Sequence, residues 1–182
     1  TMPRNRRPRQ REEKREEIVS AARILFLERG YEEVSLARIA SAAGVTSTTI
    51  YWYFTDKDEL LVAVLDVVLA ESLQRWTDLA ELDLADKLMW VTAELKGMGR
   101  LVDTVHNRRL SSRAVDTWHE NFHSMADALT RAELPADMPP TDAEAHCQII
   151  TFVVEGLLTH DHDPATARSI IDTLVQGIVR SQ

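Results

Sequence analysis

Apolar positions recur at the helical period along nearly the whole chain. In residues 13–29, Ile18, Ala22, Leu25 and Phe26 fall on one face, and Gly30 follows as a C-terminal stop. Ser35 is placed to cap a short helix from Leu36 to about Ala43, closed by Gly44, and Thr46 a second from Ser47 to Phe54. Asp56 then caps a long helix reaching about Leu79. Its stretch Leu60-Leu61-Val62-Ala63-Val64-Leu65 is apolar on all sides, which predicts a central, buried helix. Leu84, Leu88, Val91 and Leu95 mark a further helix, after which Gly97 and Gly99 break the pattern. A long helix is predicted from about Arg108 to Glu133, and a Pro-rich loop follows at residues 134–140. Thr141 or Asp142 starts the next helix, to about His160. Asp163 and Pro164 form an N-cap and N1 pair for the last, to about Val179. The pattern predicts an all-α fold of about nine helices, with no confident strand and no internal repeat.

Composition narrows the class. Six glycines and six prolines among 182 residues are too few for the frequent tight turns of a sandwich or barrel. One cysteine, Cys147, excludes an intrachain disulfide framework and a multi-cysteine zinc module. The two most apolar stretches are interrupted by Asp66 and Glu155, so no membrane-spanning helix is expected. The Arg-rich start lacks the apolar stretch of a secretory signal. A soluble cytoplasmic protein is the expectation.

A net charge of −8 argues at first against nucleic acid, but the charge is uneven. Residues 1–60 hold 11 Lys/Arg against 10 Asp/Glu, whereas residues 61–182 hold 10 against 19. Arg4, Arg6, Arg7, Arg9 and Arg11 precede any acidic residue, and residues 1–14 are expected to form a basic, disordered arm suited to phosphate or to a minor groove. Any DNA contact belongs to the first third of the chain.

Residues 35–57, SLARIASAAGVTSTTIYWYFTDK, carry the most information. Two short helices crossing at a tight turn need a small residue at the crossing, which Ala40 supplies, and a residue tolerating positive φ four positions on, which is Gly44. Leu36, Ile39, Val45 and Ile50 supply apolar anchors. This is the helix-turn-helix arrangement, whose second helix enters the major groove. The exposed face of that helix is expected to carry Ser47, Thr48, Thr49, Tyr51, Trp52 and Tyr53. Small hydroxyls can approach base edges or phosphates, and aromatic rings can pack on sugars and thymine methyl groups. Lys57 offers a charge to a phosphate, and the helix N-terminus at Thr46 adds its dipole.

Residues 15–61 resemble the N-terminal domain of the TetR family of bacterial repressors. The matching elements are Arg29-Gly30-Tyr31, Ser35 with Ile39-Ala40, Ala43-Gly44-Val45-Thr46, Ile50-Tyr51-Trp52-Tyr53-Phe54 and Asp56-Lys57-Asp58-Glu59-Leu60-Leu61. The resemblance implies a DNA-binding domain at 15–55 and an effector-binding and dimerisation domain at 56–182. It implies a homodimer that represses from a palindromic, double-stranded operator, is released by a small-molecule effector, and has no cofactor and no enzymatic activity. By position, Ser47, Thr48 and Thr49 match groove-facing readers, Tyr51, Trp52 and Tyr53 match aromatic contacts, and Lys57 matches a phosphate-binding lysine. Ser35 and Thr46 match capping hydroxyls that often touch phosphate. Two departures stand out: residue 53 is often His in the family, and Ser47-Thr48 replaces a basic residue followed by Gly. Basic contacts are therefore expected more from Arg38 and the Arg-rich arm.

Beyond residue 70 the resemblance is weak. Met89, Trp90, Trp118, Phe122, Met125 and Phe152 are candidates for an effector pocket, with His119, His123 and Glu94 placed to orient a polar ligand. The last two helices carry wide apolar faces (Ile149, Ile150, Phe152, Val153, Val154, Leu157 and Leu158; Ile170, Ile171, Leu174, Val175 and Ile178) that suggest a four-helix dimer interface. A competing chemistry is a zinc-dependent hydrolase. His119-Glu120-Asn121-Phe122-His123 is a literal H-E-x-x-H, with Glu120 as base and Glu144 as a conceivable third ligand. The extended motif fails, because Ala126 and Leu129 stand where Gly and His are needed. No metal site is expected.

Overall fold

In the computed structural model, residues 6–180 are described, and among them every regular element is an α-helix. They are α1 (Arg6–Arg29), α2 (Leu36–Ala42), α3 (Ser47–Tyr51), α4 (Lys57–Thr77), α5 (Leu84–Gly97), α6 (Gly99–Arg108), α7 (Arg113–Glu133), α8 (Pro140–Thr159) and α9 (Pro164–Arg180). The helix ends are written in the sequence. Asp56 Oδ1 accepts from the Glu59 amide at 2.8 Å, Asp83 Oδ1 from Asp86 at 2.8 Å and Asp163 Oδ1 from Thr166 at 3.0 Å.

Two boundaries outside the 35–57 stretch differ from expectation. Residues 1–5 of the expected arm lie outside the described residues, but α1 begins at Arg6 rather than near residue 13. Arg, Gln, Glu and Lys are good helix formers, and Lys14–Glu17 and Arg15–Glu12 add ion pairs one turn apart. The second difference is α6. Gly97 and Gly99 end one helix and start another, so the long helix expected from Arg108 begins instead at Arg113.

Packing divides the chain into two units. One holds the described residues up to Glu71 together with Arg100–His119; the other holds Ser72–Gly99 and the residues from Glu120 onward. Helices α4 and α7 contribute residues to both.

In the first unit, Ile18, Val19, Ala22 and Phe26 of α1 are buried, as are Ile39 and Ala40 of α2 and Ile50 of α3. The opening half of α4 is buried on most sides through Leu60, Leu61, Ala63, Val64 and Leu65, in line with its apolar sequence. Polar ties fasten this helix to its neighbours. Arg23 of α1 donates to both carboxylate oxygens of Glu71 at 2.7 Å, and the Trp118 indole N–H of α7 donates to Asp66 at 2.9 Å. At the start of α4, Asp58 accepts from Arg108 of α6 through Nε at 3.0 Å and Nη2 at 2.6 Å, and the Tyr31 hydroxyl donates to the same carboxylate. In the second unit α5, α8 and α9 pack together around Ala85, Leu88, Cys147, Ile150, Val154, Leu157, Ala167, Ile171 and Ile178.

Two stability predictions follow from these features. Gly44 sits at φ +65° with no atom near the place a Cβ would occupy, so Gly44→Ala strains only the backbone. It is expected to cost about 1–2 kcal/mol in chemical denaturation. The second concerns Asp58. Burial opposes its ionisation, but hydrogen bonds from Arg108, Tyr31 and Ser112 outweigh this and hold its carboxyl below the usual carboxylate value. A depressed folded pKa stabilises above the unfolded value of about 4, and that contribution is lost as pH falls through the lower folded value. Wild type should exceed Asp58→Asn in melting temperature near neutrality, by an amount that shrinks below about pH 4. A difference that stays constant down to pH 3 would contradict this account.

Candidate nucleic-acid interface

The helix-turn-helix is assembled from backbone geometry and three short side chains. Ser35 Oγ accepts from the Arg38 amide at 3.2 Å and starts α2. The helix ends in a Schellman arrangement: the Val45 amide bonds to the Ala40 carbonyl at 2.9 Å and the Gly44 amide to Ser41 at 3.2 Å. Positive φ at Gly44 is what lets the chain make both bonds and turn at once. Thr46 follows immediately, and its Oγ1 accepts from the Thr49 amide at 3.2 Å to start α3. Ile39, Ala40 and Ile50 are buried on the inner side.

The outer side of α3 is more selective than the sequence suggests. Thr48, Tyr51 and Trp52 are exposed, Trp52 at 76% and Tyr51 at 58%. Such exposure is unusual for large aromatic rings in a helix this short. Ser47, Thr49 and Tyr53 are only half-exposed. The Thr49 hydroxyl lies 3.0 Å from that of Thr46. Regular helix ends at Tyr51 rather than Phe54, because Trp52 and Tyr53 bond back three residues, to Thr49 at 3.2 Å and Ile50 at 2.9 Å. Ser35, Arg38 and Thr46 are exposed.

Basic groups reach this surface from α1 as well. The Arg11 guanidinium lies 5.9 Å from the Tyr53 ring centre, and that of Arg15 lies 5.3 Å from Phe54. The amino-terminal turns of α1 therefore stand beside the end of the second short helix.

Lys57 is half-buried, with its ammonium 4.0 Å from the centre of the Tyr31 ring. Burial lowers its pKa, Glu32 and Asp58 favour its charge, and Arg108 opposes it. Burial, then the bond to Asp58, pushes the Tyr31 phenol well above its ordinary value. Sequence reasoning had Tyr31 and Asp58 only as motif letters, and Arg108 carried no signal, being 50 residues from its partner.

The effector candidates are divided between the two units. Trp118 and His119 belong to the first unit; Met89, Trp90, Glu94, Phe122, His123, Met125 and Phe152 belong to the second. Trp90 lies 6.3 Å from Trp76, ring to ring, and Glu94 accepts from Ser72 at 3.0 Å and from Arg75. Met89 packs on the core of α5, α8 and α9, whereas Phe152 is 64% exposed. The two histidines of the H-E-x-x-H stretch have different neighbours. His119 is buried against the His106 ring, with ring centres 5.4 Å apart, and His123 Nε2 lies 3.7 Å from Glu155. Among the described residues no helix is long and apolar enough to cross a membrane.

Comparison with known proteins agrees with this geometry. Residues 18–64 match the family described as bacterial regulatory proteins, tetR family. The HTH-type transcriptional regulator TtgR of Pseudomonas putida is 28% identical over 169 residues, spanning 81% of this chain and 79% of that protein. A transcriptional regulator from Rhodococcus shares the fold with a TM-score of 0.75 at 18% identity, covering 92% of this chain and 96% of the other. NalD of Pseudomonas aeruginosa, the secondary repressor of the MexAB-OprM multidrug efflux pump, shares it with a TM-score of 0.64 at 23% identity, covering 93% and 97%. The turn at Gly44, the capped second helix and these likenesses together identify residues 18–64 as a DNA-binding domain of the tetR family of bacterial transcriptional regulators.

Proposed function

We propose that this regulator is a homodimeric repressor that binds a palindromic operator in the cytoplasm and is released by a small-molecule effector. The observation that carries the DNA half is the exposed pair Tyr51 and Trp52 on a helix capped by Thr46. In this reading residues 15–55 bind DNA. Thr48, Tyr51 and Trp52 enter the groove, with Ser47, Thr49 and Tyr53 at its edge. Ser35, Arg38, Thr46 and Lys57 meet phosphates, and Arg11 extends the basic surface.

Residues 56–182 take the roles of effector binding and dimerisation. Ile150, Val154 and Leu157 of α8 and Ile171 and Ile178 of α9 are consumed by the internal core, while Ile149 and Phe152 stay exposed at 45% and 64%. Large exposed apolar side chains close together on one helix favour burial against a second copy. A twofold dimer presents two recognition helices about 34–36 Å apart to successive groove faces. Helix α4 starts six residues after Tyr51 and runs unbroken to Thr77. An effector that displaces it spoils that spacing, and a coupling of about 1–3 kcal/mol suffices. The candidate effector residues are Met89, Trp90, Glu94, Trp118, His119, Phe122, His123, Met125 and Phe152.

Selection of bound sequences from a random duplex library at physiological salt tests the DNA reading. The intact protein is expected to enrich a palindrome, and the Tyr51→Ala/Trp52→Ala protein to lose it; failure to enrich, even with metabolite extract added, would overturn the repressor assignment. The dimer face is tested by Phe152→Glu, which should shift the protein from dimer to monomer in light scattering. A dimer that survives this change uses another surface.

A further inference from the structure

Four side chains lead in sequence from the end of α6 to the start of α4. Arg108 grips both oxygens of Asp58 at 3.0 and 2.6 Å; Asp58 accepts the Tyr31 hydroxyl; the Tyr31 ring carries the Lys57 ammonium at 4.0 Å. The Arg108 guanidinium also lies 5.5 Å from the centre of that ring. We propose that Arg108 is a positioning residue for DNA binding, which acts through Asp58 and Tyr31 to hold the Lys57 ammonium where it meets a backbone phosphate. The inference rests on the reading of Lys57 as a phosphate contact.

The physical argument has three steps. A lysine stem is flexible, so an ammonium that is not held must be ordered at the moment of binding, which weakens the contact. An aromatic face holds it in advance, and an ammonium has three N–H groups, so seating on a ring leaves donors for a phosphate. The ring itself must be fixed. Phe26, 5.3 Å away centre to centre, supports the body of Tyr31, but only Asp58 among its described hydrogen-bond partners fixes the hydroxyl end. Arg108 in turn fixes Asp58 by a two-point fork, which sets the plane of the carboxylate as well as its place. Without Arg108, Asp58 keeps the bonds from Tyr31 and Ser112 but loses the two-point hold on its plane, so the carboxylate can turn toward the ammonium and compete for it. The contact to phosphate then competes with an internal ion pair.

The test uses the full chain and the consensus duplex selected from the random library. One phosphate contact is worth about eightfold in affinity at ~0.1 M salt relative to 1 M, and about 0.9 in the slope of log affinity against log salt. Lys57→Ala should lose this amount per protomer. Arg108→Gln should lose a large part of it, about three- to eightfold, with the same shallower slope, although it touches no DNA in the proposed interface. In the Lys57→Ala background Arg108→Gln should then have no further effect. Tyr31→Leu, which removes the ring, should behave as Arg108→Gln does. It decides the question by the same criteria if Arg108→Gln loses cooperative unfolding. A wild-type salt slope in Arg108→Gln, or losses that add with Lys57→Ala, overturns the positioning role while leaving Lys57 as a contact. An unchanged slope in Lys57→Ala overturns the reading of Lys57 itself.

Discussion

A helix of five residues has no stability of its own, and α3 is such a helix. Nucleating a helical turn costs more than its first hydrogen bonds return, so isolated helices of this length do not persist in water. The proposed DNA-reading surface therefore depends on the turn at Gly44. Its backbone bonds hold α2 and α3 at a fixed crossing, Thr46 supplies the first turn of α3, and Ile50 anchors it from beneath. Only with these in place can the chain leave two large aromatic rings in solvent without letting them collapse into a core.

That economy limits what the hydroxyl groups can do. Thr46 accepts the Thr49 amide and lies against the Thr49 hydroxyl, and Ser35 accepts the Arg38 amide. A hydroxyl can accept through a second lone pair and donate its own proton, so a capping Ser or Thr can still donate to a phosphate while it caps. In the proposed interface, capping and DNA contact thus fall on the same atoms. A change at Thr46 would act on the fold and on that interface together, whereas the exposed Trp52 would act on the interface alone.

Local signals made the fold legible. Gly30, Ser35, Gly44, Thr46, Asp56 and Asp163 each mark a helix end through bonds spanning at most five residues, and the structure places helix ends at or beside each of them. The candidate DNA-facing residues were legible for the same reason, since helical period and turn spacing decide which side of α3 faces out. Three things were hidden. Helix α6 starts at Gly99, two residues after Gly97, and the two glycines mask its start. The half-burial of Thr49 and Tyr53 goes with the Thr46 hydroxyl beside one and the Arg11 guanidinium of α1 over the other. The bond from Arg108 to Asp58 joins residues 50 apart, and no local pattern encodes a partner at that distance.

Charge explains why the interface must be small and well organised. The first 60 residues carry nearly balanced charge, and the remaining 122 are strongly acidic. Repulsion from the acidic part acts over about a Debye length of 8–10 Å at physiological salt, so it is felt near the surface but screened across a domain. Affinity must then come from a few cations held close to phosphates. Arg11 rests over Tyr53, Arg15 over Phe54 and Lys57 over Tyr31, so each of these cations at the helix-turn-helix is seated on an aromatic ring. A ring attracts a cation without neutralising it, unlike a carboxylate. The aromatic residues near this motif therefore serve two purposes: Tyr51 and Trp52 present surface to the outside, and Tyr31, Tyr53 and Phe54 hold positive charge in place.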